Sequence, residues 1–349
     1  MAKNTKVFVG MSGGVDSSVT AALLRDEGYD VTGVYMKNWS QDLPGMVCPW
    51  KEDYQDAKRV AVRLGIPFKM YDFEREYRDK VVNYMLAEYQ AGRTPNPDIM
   101  CNQEVKFKLF LETALQDGAN LIATGHYARV QAGRLFTGLD ANKDQSYFLY
   151  RVTEDALRHS LMPVGEYEKP EVRELARKYG LNTAEKKDSQ GICFVGKVGI
   201  KDFLLHELGE QPHGIIRDQH GTAVGEHDGA LFYTIGQRHG LNLGGGLPYY
   251  VTGKDMIKNE VYVTRDLQDE NLWKRQLNLT DLHWINGAPD PGKTYYIRTR
   301  YRAALVPGEV QVDGSAAILK LHEDVRAITP GQSAVVYDGD RVAGGGIVV

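Results

Sequence analysis

Cysteine is scarce in this chain of 349 residues: only Cys48, Cys101 and Cys193 occur. Three scattered thiols cannot make a disulfide framework, and without a C-x-x-C pair there is no zinc pattern. Reduced thiols and no resident metal are expected. No run of about 18 apolar residues is present, and the N-terminus lacks a signal-peptide pattern, so nothing directs the chain to or through a membrane and a cytoplasmic location is expected. Positive charge is also in short supply. A net charge of −4 argues against indiscriminate attraction to nucleic acid and leaves room for a local basic patch. The glycine pattern near the N-terminus lacks the lysine of a G-x-x-x-x-G-K-[ST] loop and is not G-x-G-x-x-G either.

What is present there is Gly10-Met11-Ser12-Gly13-Gly14-Val15-Asp16-Ser17, preceded by the apolar run Lys6–Val9 and followed by Val19, Ala22 and Leu23 at helical spacing. This reads as strand, glycine turn, helix. Such a turn aims backbone N–H groups outward at a helix N-terminus, where glycine lets a ligand come close, so an anion is the natural guest. Ser12, Ser17 and Ser18 can donate to phosphate oxygens. Asp16 is an odd neighbour for phosphate unless Mg²⁺ lies between them.

The spacing predicts further strands at 31–36, 66–71 and 121–124, separated by helices around 57–64, 74–90 and 107–114, with another at 169–179. Alternating strands and helices make the N-terminal half an α/β unit with a parallel sheet, its ligand at the carboxyl ends of the strands. Gly14, Met36 and Gly125 fall near such ends. The two prolines in 92–98 predict a non-helical segment there, with helix resuming beyond it. From about Gly199 the texture turns to short β-like runs, and a small barrel or sandwich is expected at the C-terminus. Its Asp338-Gly339 is a hairpin turn signal. We place the units at 1–197, 198–269 and 270–349. Period two in 295–302 puts Arg298, Arg300 and Arg302 on one strand face, a pattern that is usually just solvated but also fits an RNA backbone.

Cys101 is expected at a helix N-terminus, where the dipole lowers a thiol pKa; Asp98 is near enough to exchange its proton, although its charge opposes that lowering. Cys193 is expected in a polar loop beside Lys186 and Lys187, which favour a thiolate. A lone cysteine is commonly a small buried hydrophobe, but both lie outside apolar stripes in a chain that also carries a phosphate-type loop.

The glycine loop resembles that of adenylating ATPases that release pyrophosphate. Together with Asn96–Asn102, Ala123–Tyr127, Lys143–Leu149 and Asp188–Phe194, it resembles the tRNA-specific 2-thiouridylase family over nearly the whole chain. The resemblance implies a pyrophosphate-loop ATPase domain of the adenine-nucleotide α-hydrolase kind, a small central domain rich in β and a C-terminal β-barrel. It implies ATP, with Mg²⁺, at Gly10, Met11, Ser12, Gly13, Gly14, Val15, Asp16, Ser17, Met36 and Gly125. Asn96, Pro97 and Asp98 would meet the target base; His126, Lys143, Asp144, Gln145, Arg300, Tyr301 and Gln332 would meet the tRNA. Cys193 would carry a persulfide supplied by a cysteine desulfurase or relay protein, with Cys101 as the second thiol and Asp98 beside it. The implied reaction is ATP-dependent 2-thiolation of the wobble uridine in tRNAs for Lys, Glu and Gln.

Residue chemistry leaves three rivals open: an amide ligase or amidotransferase synthetase that adenylates a carbonyl for nitrogen transfer, a nucleotide-binding sensor without chemistry, and an iron–sulfur route using Cys101 and Cys193 with Asp98 or Cys48. Cys48 has no assigned role.

Overall fold

Val7, Phe8 and Val9 are buried in a five-residue strand, β1 (Lys6–Gly10), the centre of the N-terminal domain. The computed structural model describes residues 5–43, 47–187, 199–244 and 246–349. After the glycine turn comes α1 (Val15–Asp26), whose buried face, including Val19, Ala22 and Leu23, covers the sheet. β2 (Asp30–Lys37), α2 (Trp50–Leu64) and β3 (Phe68–Asp72) follow. Gly65, left-handed at φ 67°, ends α2 as a residue with a Cβ would do only under strain.

The predicted helix at 74–90 exists as α3 (Glu74–Tyr77), a π-helical stretch Arg78–Val82 and α4 (Asn83–Gln90). A second helical run joins α5 (Pro97–Met100), the π-helical stretch Cys101–Leu109 and α6 (Phe110–Gln116). The expectation that 92–98 is non-helical is corrected at its end. Pro97 stands at the first helical position, where its fixed φ suits the helix and its missing N–H costs nothing.

β4 (Leu121–Ala123) returns beside β1. The hairpin β5 (Ala128–Gln131) and β6 (Arg134–Thr137) leaves the domain; α7 (Glu154–Arg158), β7 (Ser160–Leu161) and α8 (Lys169–Lys178) complete it. The sheet is parallel throughout, in the order β3-β2-β1-β4-β7. Its order reverses beside β1, and the switch point places a ligand crevice between the ends of β1 and β4.

Residues 200–208 depart from the β-like texture expected of the next region: Ile200–Leu208 is helix α9. Its Phe203 packs on Trp39 at 6.1 Å between ring centroids, and Glu207 pairs with Arg78. The four-stranded central sheet runs β10 (Tyr250–Asp255), β11 (Glu260–Thr264), β8 (Gly214–Arg217), β9 (Ala223–His227).

β12 (Trp273–Trp284), β13 (Thr294–Arg298), β14 (Val306–Asp313), β15 (Ala316–Arg326), β16 (Ser333–Asp338) and β17 (Arg341–Val348) form a six-stranded barrel, closed by β12 pairing with β17. Ala317, Leu319 and Leu321 alternate inward along β15. The predicted hairpin joins β16 to β17 through Gly339, at φ 65°. β16 is buried on both faces. Ala334 and Val336 fill the barrel, while Val335 and Tyr337 pack on the N-terminal domain. The β5–β6 hairpin continues the barrel sheet through Leu135 and Phe136 paired to β17, so backbone hydrogen bonds join the two domains. Among the described residues, no helix is long and apolar enough to cross a membrane.

Candidate functional site

The loop from Gly10 to Ser17 is held by its own hydroxyls. Ser12 N–H donates to Ser17 Oγ (3.2 Å), Gly14 N–H reaches Ser12 Oγ (3.4 Å), and Ser18 Oγ donates to the Gly14 carbonyl (2.7 Å). Gly13 adopts φ 77°, and a Cβ there would collide with the Asp53 carbonyl of α2, so only glycine fits. No side chain caps Gly14, which leaves first-turn N–H groups of α1 for an anion. Gly125 closes the far wall: a Cβ on it would lie 2.6 Å from Ser17 N. Met36 stands beside Gly10, its Cε 2.9 Å from where a Gly10 Cβ would be. Met11 and Val15 are buried behind the loop. Gly10, Gly13, Gly14, Ser17, Met36 and Gly125 therefore lie together around the turn between β1 and α1.

Asp16 has protein partners of its own. Both its carboxylate oxygens bind Lys169 Nζ (2.7 and 2.9 Å), and Tyr127 OH donates to Oδ1 (2.7 Å). With these partners it ties α1 to α8. Among the described residues no group of three His, Cys, Asp or Glu is placed to hold a metal ion, so the donor set does not form a protein cage for Mg²⁺. Lys169, at the start of α8, escaped the sequence reading because 153 positions separate it from Asp16.

Cys101 is 3 % exposed and is the fifth residue of its helical run, not the first as expected. The dipole effect fades after the first turn, so the end of this helix activates the thiol less than the sequence suggested. Asp98 lies three residues earlier, on the same helical face. Burial raises its pKa, against the pull of the Lys106 charge. Lys106 also acts on His126, whose pKa burial holds well below the usual histidine range. That imidazole is neutral at physiological pH, bonded to Thr124 Oγ1 (2.8 Å) and packed on Phe107 (5.6 Å). Phe107 on His126, and Phe110 3.4 Å from a Gly10 Cβ, lay the Cys101 helix across the ends of β1 and β4.

Asn96 precedes α5 in extended conformation without a capping side-chain hydrogen bond, and Pro97 is buried. Gln332 donates to the Thr94 carbonyl (2.8 Å) and the Pro95 carbonyl (3.3 Å) just upstream. Asn102, next to the thiol, donates to the Phe148 carbonyl (3.0 Å), and Phe148 packs on Tyr301 at 4.5 Å.

The arginine face corrects a prediction. β13 ends at Arg298, and the arginines do not form a solvated strip. Arg298 forms a largely buried ion pair with Asp144 (3.0 Å), Arg300 bonds to the Ile235 carbonyl (2.8 Å) and to Thr329, and only the exposed Arg302, which reaches the Asn142 carbonyl (3.1 Å), faces solvent. Asp144 also accepts from Gly138 N–H, Ser146 N–H and Ser146 Oγ, so it is an interface knot. Gln145 accepts from Tyr127 N–H (2.9 Å), and Lys143 is half-buried beside it. Lys186 is engaged by Asp53 and Asp56, both at 2.7 Å, so its charge is compensated rather than offered to a thiol. Cys193 and the polar loop expected to carry it lie outside the described residues. Cys48 is half-buried near the Trp39 carbonyl, and burial pushes its thiol pKa up.

A parallel sheet whose first strand opens into a hydroxyl-laced glycine loop, faced by Gly125 across the switch point, defines a nucleotide-binding α/β domain of the pyrophosphate-loop class. Family models match in series: a tRNA methyl transferase HUP domain over 5–197, a tRNA methyl transferase PRC-barrel domain over 201–265 and an aminomethyltransferase beta-barrel domain over 274–348. The tRNA-specific 2-thiouridylase MnmA of Listeria monocytogenes serotype 4a is 49% identical over 352 residues, covering 98% of this chain and 94% of that protein. The protein of the same name from Bacillus mycoides is 47% identical over 353 residues, covering 99% and 95%. The chain belongs to the tRNA-specific 2-thiouridylase family. Among solved structures, a 4-thiouridine synthetase–RNA complex with bound ATP is a distant likeness, at 18% identity over 58% of this chain and 50% of that one, with a TM-score of 0.39.

Proposed function

We propose that this protein replaces the C2 oxygen of a tRNA wobble uridine with sulfur at the expense of ATP. A uracil carbonyl oxygen is a poor leaving group until it is esterified. In the proposed first step that oxygen attacks the α-phosphorus, pyrophosphate leaves, and the uracil N3 proton is given up as C2=N3 forms. The first-turn N–H groups of α1 and the serine hydroxyls around Gly13 would take the charge of the departing pyrophosphate, with Mg²⁺ arriving on the nucleotide.

Sulfur then adds at C2 and AMP leaves with the uracil oxygen. Cys193 would bring the sulfur as a persulfide from a cysteine desulfurase or relay protein. Either its terminal sulfur attacks directly and Cys101 then cleaves the S–S bond, or Cys101 first frees hydrosulfide. Both routes leave a Cys101–Cys193 disulfide, and an external thiol reductant must restore the pair. Asp98, with its raised pKa, suits proton transfer beside Cys101. The target base must leave its stack, at a cost of a few kcal/mol that is lower in a loop.

The observation that supports this reading is that the helical run carrying Asp98 and Cys101 packs Phe107 on His126 and Phe110 beside Gly10, at the carboxyl ends of β1 and β4. An amide ligase would have no use for that thiol. Mass spectrometry of tRNA nucleosides after incubation with ATP and a persulfide source is expected to show 2-thiouridine, with one AMP formed per sulfur inserted. ADP as the product, or sulfur insertion without nucleotide, would refute it.

A further inference from the structure

The two residues that follow Cys101 both reach the stretch 146–151. Asn102 Nδ2 donates to the Phe148 carbonyl (3.0 Å), and Gln103 Oε1 accepts from Arg151 Nε. That stretch opens with the 3₁₀ turn Ser146–Leu149 and is itself fixed to the barrel. Tyr147 OH donates to the Ser333 carbonyl (2.9 Å), Tyr150 OH shares a hydrogen bond with Ser333 Oγ (3.0 Å), and the Phe148 ring packs on Tyr301 at 4.5 Å between centroids. Arg151 continues to the Asp281 carbonyl (2.7 Å) and carboxylate (2.9 Å). The helical run that carries the thiol is thus tied to an immobile frame directly beyond Cys101.

Asn102 is 2 % exposed, and among the described residues its Oδ1 is buried without a hydrogen-bond partner. An unsatisfied buried acceptor costs folding free energy that a leucine of similar shape would avoid, so stability alone does not explain an amide at this position. The backbone there is uncommon as well. The π-helical stretch begins at Cys101, and π-helical turns are rare and occur frequently at functional sites.

We propose that Asn102 is a positioning residue for the sulfur-transfer step: through its bond to the Phe148 carbonyl it fixes the rotation of the helical run, and with it the direction in which Cys101 presents its thiol. The proposal rests on the thiolation reading and adds a residue to it. A misdirected Cys101 delays sulfur after the uridine has been activated. Water can then add at C2 in place of sulfur; AMP leaves with the original uracil oxygen, and the water oxygen becomes the new carbonyl while its two protons go to N3 and to solvent. If the persulfide has already attacked, the base instead waits on Cys193 for Cys101 to cleave the S–S bond. In both cases AMP is formed ahead of 2-thiouridine.

That imbalance separates positioning from a merely structural role. Asn102→Asp keeps the shape but turns an acceptor toward the Phe148 carbonyl, and Asn102→Leu removes both polar atoms. Misplacing reacting groups by about 1 Å costs up to about 100-fold, so kcat for 2-thiouridine formation is expected to fall about 10- to 100-fold in both variants. AMP formation should fall far less, giving more than one AMP per 2-thiouridine from the first turnover, where the parent gives one. Affinity for tRNA by filter binding should stay at the parent's value. A structural role alone lowers both products together and leaves their ratio at one; that result, the loss of both products in both variants, or unchanged kinetics would overturn the proposal. So would weakened tRNA binding with the ratio still at one, which would make Asn102 an RNA contact. Failure of the parent protein to thiolate under the same conditions would count against the thiolation reading itself.

Discussion

Cys101→Ser is expected to lower 2-thiouridine formation by about 10³-fold or more, because a hydroxyl can neither cleave a persulfide nor close a disulfide with Cys193. The fold should survive. Cys101 is 3 % exposed among Ile99, Val105 and Phe107, and the substitution changes one atom. A buried hydroxyl without a full set of partners costs about 1–3 kcal/mol, so Cys101→Ala serves as the control that adds no polar atom. Both variants should still bind ATP, since Cys101 is no part of the glycine loop. Thiolation within about tenfold of the parent in both would remove Cys101 from the chemistry.

Asp144→Ala is expected to produce the largest loss of stability, about 3–5 kcal/mol in urea unfolding, by stranding Arg298 inside the interface. Asp144 and Arg298 side chains are 5 % and 15 % exposed, and the carboxylate also holds Gly138 N–H, Ser146 N–H and Ser146 Oγ. Arg298→Met alone should be costly for the mirror-image reason. The double variant Asp144→Ala with Arg298→Met should cost less than the sum, because neither charge is then left unpaired. Strict additivity would mean that the pair is not coupled.

The N-terminal fold was legible because its signals are local: apolar runs for strands, 3.6-residue stripes for helices, and a glycine loop between the first pair. The anion crevice was legible for the same reason. Gly13 and Gly125 sit at strand ends whose positions follow from the pattern. The resemblance to a known family supplied the rest of the expected site.

Misreadings came from partners distant in sequence. Nothing near Asp16 announces Lys169, and nothing near Arg298 announces Asp144, so the ion pairs of both residues were invisible in the sequence. Pro97 was taken as a helix breaker because its effect on the residue before it was weighed without its suitability as a first helical residue. Helix α9 was missed because nine residues that pack on Trp39 and Arg78 of another domain stand at the head of a β-rich stretch. The bonds from Gln332 to the Thr94 and Pro95 carbonyls were equally invisible in the sequence, because backbone partners carry no side-chain signature.

The fate of the uridine oxygen tests the central claim most directly. With ¹⁸O placed at C2 of the wobble uridine, turnover with ATP and a persulfide source is expected to release AMP that carries one ¹⁸O, two mass units heavier by mass spectrometry. Label found in water or inorganic phosphate, with AMP unlabelled, would contradict adenylation of the base.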